Sequence, residues 1–174
     1  ATAHGWAREI EKVGHTVRLI PPTYVKPFVK RQKNDAADAE AIAEAASRPT
    51  MRFVAVKTEV QQARAMLFRT RDLLVRQRTQ LINALRGHLA EHGVVAPQGT
   101  AHLKRLADVI TDERGGLPGA VRELGAVYLD QITALDERIQ DLEKRLRVAA
   151  GESDTTQLLQ TMPGVGPITA TALE

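Results

Sequence analysis

The sequence predicts a short α/β unit followed by a mainly helical, coiled-coil appendage and the start of a further helical domain. Three observations carry this. Trp6, Ile10 and Val13 recur at helical spacing and run into an alternating segment, residues 15–20, that reads as a strand. Residues 59–91 contain no proline and place Leu67, Leu74 and Leu81 seven apart. Tyr128, Ile132, Leu135, Ile139, Leu142 and Leu146 then recur at alternating spacings of four and three, a heptad seam.

The elements follow in order. The first helix covers residues 3–13, and Gly14 stops it in the left-handed conformation. The strand at 15–20 ends at Pro21-Pro22. A basic segment broken by Pro27 leads to Asn34, whose side chain is suited to cap a helix running from Asp35 to about Ala46. Arg48-Pro49 ends that helix, and residues 53–56 form a short extended piece. A long helix over 59–91 carries Ile82, Leu85 and Leu89 onward along its stripe. A loop at 93–100 and a shorter helix around 101–110 come next. The seam helix pairs back on the long one as an antiparallel hairpin. Near Gly151 the character changes to short helices around a Pro-Gly-Val-Gly-Pro turn. The expected divisions are therefore 1–57, 58–150 and 151–174.

Composition narrows the class. The chain has 174 residues, enough for one domain or a small domain with an appendage. Aromatic residues make up only 3%, so the core rests on Leu, Ile, Val and Ala. The absence of cysteine excludes a disulfide scaffold and a thiolate metal site. No apolar run approaches 18 residues and no signal peptide is visible, so no membrane partner is expected and the cytoplasm fits. The net charge of +3 is a mild basic excess whose distribution matters more than its size. The chain opens on Ala1 in mid-pattern and stops at Glu174 inside a helical run, so it reads as part of a longer protein.

Four constellations bear on chemistry. Asp35 and Asp38 stand three apart on one helix, which sets their Cβ atoms about 5–6 Å apart. Such a pair suits a hard cation such as Mg2+, and Ala36 and Ala37 leave room around it. The spacing equally fits acids that complement a helix dipole. Lys26, Lys30, Arg31 and Lys33 lie just before the pair, as a phosphodiester substrate would require or as a solvated loop would show. Arg64, Arg69, Arg71, Arg76, Arg78 and Arg86 face only Asp72 among acids between residues 61 and 89. Either they contact phosphate, or they pair with acids on the partner helix. Gly164 and Gly166 form a turn able to point amides at a phosphate, though tight turns need glycine anyway. His88 and His92 have no third ligand near them in sequence.

Two stretches match a known family. The run HGWAREIEKVGHTVRLIPPTYVKPFVKRQKNDAADAEAIAEAASRP closely resembles the DEDD transposases of the insertion-sequence-110 type. The run LLQTMPGVGPITATALE resembles the start of that family's second conserved domain. The resemblance implies a RuvC-like, RNase H-like α/β fold with four acids around Mg2+, of which Asp35 and Asp38 match the last two. The first Asp and the Glu have no counterpart here, and the family's catalytic serine is expected beyond Glu174. The resemblance also implies a dimerising coiled coil, DNA as substrate, and a structured bridge RNA that selects target and donor. Without those residues, this chain is expected to be inactive alone. A non-catalytic nucleic-acid-binding scaffold and a RuvC-like junction resolvase are the competing readings.

Overall fold

The computed structural model describes residues 3–30 and 34–173, and the chain divides into two units, Ala1–Gln62 and Ala63–Glu174. The expected α/β class is not what forms. Among the described residues there is no strand or sheet, and the architecture is all-α. Residues 15–20 form no strand; among the described residues their pairing is one antiparallel bridge, Leu19 with Val54, closed by the Val54 amide donating to the Leu19 carbonyl at 2.7 Å. Alternation sets which side chains share a face. A strand exists only where a neighbouring backbone supplies a ladder of partners.

The first unit opens with α1 (Ala3–Lys12). Gly14 ends it at φ 90°, where a Cβ would be strained. The Gly14 amide donates to the Glu11 carbonyl and the His15 amide to the Ile10 carbonyl, the bond pair of a Schellman motif. The apolar stripe of this helix does not become its buried face. Trp6 is 65% exposed and Val13 73%, whereas Ala7 is buried. Polar fastenings set the orientation instead. Arg8 Nη1 donates to the Lys57 carbonyl at 2.6 Å, and the Lys57 amide donates to His4 Nδ1 at 3.1 Å.

After the extended segment comes α2 (Pro22–Val25), with proline at its first position, where no amide is needed. A 3-10 turn over Lys26–Phe28 follows. Next is α3 (Asp35–Ser47), whose buried residues are Ala41 and Ala45. Among the described residues of this unit Ala7, Ala41 and Ala45 are the buried apolar side chains, so the packing they make is close but slight.

Helix α4 (Glu59–Ala90) begins with a reciprocal cap. The Thr58 amide donates to Gln61 Oε1 at 3.0 Å, and the Gln61 amide donates to Thr58 Oγ1 at 3.2 Å. In the second unit α4 runs antiparallel to α6 (Gly119–Gly151). Arg71 pairs with Glu143 and Arg78 with Asp136, so a step of seven up one helix is a step of seven down the other. Between them in sequence, α5 (Leu103–Thr111) folds over the loop end of this hairpin. There Ile82, Leu85, Leu89, Leu106, Ile110 and Ile132 form the core with Ala96 and Leu117. Burying one such Leu or Ile contributes about 1.5–3 kcal/mol before entropy is charged.

Gly125 on α6 packs against Ile110 of α5. A Cβ there would lie 3.0 Å from two atoms of the Ile110 side chain. At the other end of α6, α7 (Asp154–Gln160) and α8 (Pro167–Leu173) pack back on the helix and bury Ala150, Thr156 and Ala170. The buried Thr156 hydroxyl donates to the Ala150 carbonyl at 2.6 Å, so it satisfies its own burial and ties α7 to the end of α6. Residues 151–174 thus belong to the same unit as the hairpin.

Candidate acid pair and nucleic-acid interface

Asp35 and Asp38 are both exposed on the first turn of α3. Their placement follows from the cap. Asn34 is extended (φ −147°, ψ 159°), and its Oδ1 accepts from the Ala37 amide at 2.8 Å. The Asp38 amide donates to the Asn34 carbonyl at 3.1 Å. Neither carboxylate makes an ion pair with a described residue. Two exposed carboxylates on one turn fit Mg2+, which takes one or two carboxylates and completes its shell with water and phosphate. The fit goes no further within this chain. Among the described residues no three His, Asp or Glu side chains come together as a metal cluster.

Asp38, but not Asp35, lines a groove of about 550 Å³. Its floor is Leu19, Ile20, Pro22, Val25, Val29 and Ile42, with Arg18 and Lys26 as its cationic groups. The Arg18 guanidinium lies 5.1 Å from the Phe53 ring centroid, which steadies it. On the same unit Arg48 stacks over Phe28 at 5.3 Å and pairs with Glu44. Sequence reasoning missed Arg18 and Ile42, because Arg18 sat on the polar face of the expected strand and Ile42 inside an Ala-Glu helix. The spacing of four between Val25 and Val29 was the available signal.

The expected phosphate-binding cations separate into groups. Lys26 is exposed and borders the groove. Lys30 is paired with Glu40 on α3, and that hydrogen bond and charge raise its pKa above the ordinary lysine value. Arg31 and Lys33 lie outside the described residues. On α4, Arg71 and Arg78 point at the partner helix. Arg71 Nη2 lies 2.6 Å from Glu143, both side chains are about three-quarters buried, and Arg78 pairs with Asp136. Here the alternative reading, pairing with acids of the partner helix, describes the geometry. Arg76 pairs with Asp72 one turn away at 2.8 Å. Arg69 is exposed, and Arg64 is half-buried. Arg86 donates to the Ala96 carbonyl and holds the loop after α4.

Gly164 takes φ 84° in the turn between α7 and α8, so glycine is required there by conformation. Gly166 is exposed, and its carbonyl accepts from the Ala170 amide at 2.9 Å, starting α8. The seam residues Ile132, Leu135, Ile139 and Leu146 are buried within the chain, while Tyr128 and Leu142 are half-buried. Tyr128 also faces His88, at 5.8 Å between ring centroids. Among the described residues no helix is long and apolar enough to cross a membrane.

A capped acid pair beside a cation-edged groove is consistent with phosphodiester chemistry, and comparison with known proteins narrows the class. The sequence pattern of the DEDD transposases of the IS110 type, described as transposase, matches residues 1–93, more than half of the chain. The chain belongs to this transposase family. It is 45% identical over 174 residues to a probable family 20 transposase of Pseudomonas aeruginosa, covering 99% of this chain and 52% of that protein. It is 46% identical over 173 residues to the transposase for insertion sequence element IS1328 of Yersinia enterocolitica, covering 99% and 51%. The transposase for insertion sequence element IS1111A of Coxiella burnetii is 42% identical over 170 residues, covering 97% and 46%. The chain thus spans about half the length of the curated relatives it matches. No solved structure matches it.

Proposed function

We propose that this chain is part of a DNA transposase that excises and inserts a mobile element under the guidance of a bridge RNA. Asp35 and Asp38 supply two of the four acids of its catalytic centre. The observation that carries the reading is the exposed carboxylate pair held on the first turn of α3 by Asn34, without an ion pair to any described residue. In the full-length protein Asp35 and Asp38 would hold Mg2+, an ion that neutralises charge on a phosphate undergoing displacement. The chain's own residues orient these acids through the Asn34 cap and set Lys26 and Arg18 beside Asp38. The exposed Arg69 and the turn at Gly164 and Gly166 belong, in this reading, to the nucleic-acid surface. Assembly into a dimer would use the helical hairpin, exchanging seam contacts now made within one chain.

The test is recombination by full-length protein carrying Asp38→Asn, an isosteric change that removes the charge. Loss of excision with unchanged folding is expected. Normal recombination in Mg2+ would falsify the reading. A non-catalytic nucleic-acid-binding scaffold is the second reading, supported by the lack of a three-donor cluster among the described residues. It predicts that the unaltered full-length protein binds nucleic acid without recombining it, and that Asp38→Asn leaves that binding unchanged.

A further inference from the structure

The backbone of Lys57 lies outside any helix, just before the Thr58 cap that starts α4, so its polar groups need partners from elsewhere in the chain. Helix α1 supplies them from two side chains one turn apart. His4 Nδ1 accepts from the Lys57 amide at 3.1 Å, and Arg8 Nη1 donates to the Lys57 carbonyl at 2.6 Å. His4, Arg8 and Lys57 are each half-buried, and Ala7 beside them is buried. Two bonds that span 53 and 49 residues of sequence thus clasp α1 to the approach to α4.

A proton affects these two bonds differently. The Arg8 guanidinium donates at every ordinary pH. An imidazole nitrogen accepts only while it carries no proton. A backbone N–H can only donate, so His4 is bound in its neutral form, with its proton on Nε2. A second proton turns Nδ1 into a donor facing a donor. The charged side chains that these segments carry around the contact add to the effect. Arg8, Lys12 and Lys57 are cations, Glu9 is paired with Lys12, and Glu59 at the start of α4 acts on Lys12 as well.

We propose that His4 is a pH-operated pin. Neutral, it clasps α1 to residue 57; protonated, it releases the Lys57 amide and leaves Arg8 to hold α1 there. The clasped form excludes the proton. The clasp is therefore complete above the range in which imidazoles titrate, about pH 5–8, and is lost as the pH falls through it. Attachment of α1 to the start of α4 becomes a function of pH. This goes beyond the transposase reading and does not depend on it.

The test is nuclear magnetic resonance of the 174-residue chain at two pH values. At about pH 7.5 the ring nitrogen shifts of His4 should show a bare Nδ1 and a protonated Nε2. Protection of the Lys57 amide, corrected for its intrinsic exchange rate, should fall about fivefold on moving to about pH 5.5, the loss of one hydrogen bond. His4→Asn keeps an acceptor at the δ position and does not titrate in this range, so its Lys57 amide should stay protected at both values. His4→Leu should lower that protection about fivefold at both. The single tryptophan, Trp6, borders a cleft with Arg8, Glu9 and Gln62, so its emission should change with pH in the unaltered chain and not in His4→Asn.

Equal protection of Lys57 at the two values in the unaltered chain overturns the proposal, as does a proton on Nδ1 at the higher one. A pH response that persists in His4→Asn also overturns it, because another group would then be titrating. If His4→Asn loses its helical circular dichroism, the unaltered chain still decides. A bare Nδ1 that gains its proton without any change at Lys57 is not a pin.

Discussion

Replacing Asn34 by Ala removes one hydrogen bond and leaves another. The lost bond is from the Ala37 amide to Oδ1, 2.8 Å long. The Asp38 amide keeps its bond to the residue-34 carbonyl at 3.1 Å, which the substitution does not touch. A cap of this kind is worth about 1 kcal/mol, within a range of about 0.5–2. At about 1.4 kcal/mol per tenfold, 1 kcal/mol raises the open population of the first turn about fivefold. That turn carries Asp35 and Asp38, so the acids spend more time out of register without any change to their own chemistry. Amide exchange at Ala37 reads the effect directly, since local opening is reported residue by residue. Asn34→Ala should speed it about fivefold, and Asn34→Asp, which retains an acceptor, should restore protection. Equal exchange in the Ala and Asp variants would refute the idea that the cap positions the pair.

Other perturbations test the packing and the charges. Gly125→Ala should destabilise by about 1 kcal/mol net, because crowding against the buried, β-branched Ile110 outweighs the gain in helix propensity. Gly87→Ala, where a Cβ meets nothing within 4 Å, should instead stabilise by about 0.5–1 kcal/mol. Urea midpoints of the two variants should therefore move in opposite directions, and a shared direction would contradict the placement of α5 on α6. Arg71→Gln should cost about 1 kcal/mol in urea unfolding, since Glu143 keeps only the longer 3.4 Å contact with Arg147. Arg69→Gln should leave stability within about 0.5 kcal/mol but lower the salt slope of duplex binding by about 0.9, one phosphate contact. If Arg71 moves the slope and Arg69 does not, the assignment of partners on α4 is wrong.

The local signals in this sequence were legible, and the non-local ones were not. Residues 59–91 announce a helix by period and by lack of proline, and α4 ends one residue short of that limit. Asn34 announces its cap by type and position, and the helix begins at Asp35 as expected. The segment around Leu19 looked like a strand because alternation is local, yet a sheet depends on partners elsewhere in the chain, and among the described residues only Val54 bridges to it. Trp6, Ile10 and Val13 show the same limit. Helical spacing put them on one face, but the contacts of Arg8 and His4 with Lys57 turned that face outward. Composition marked α4 as Arg-rich. Only the antiparallel register decided that Arg71 and Arg78 meet Glu143 and Asp136 while Arg69 stays exposed. The groove was least legible, since its residues come from three separate segments and only Lys26 and Asp38 among them stood in a motif.

The measurement that bears most directly on the central claim is excision and insertion by the full-length protein with Asp35→Asn, Asp38→Asn and the control Glu40→Gln. Glu40 shares helix α3 and loses only an exposed pair with Lys30 when changed. The account predicts that both Asp variants fold normally and fail to recombine, while the control recombines as the unaltered protein does. Recombination at the normal rate by either Asp variant, or an equal loss in all three, would contradict it.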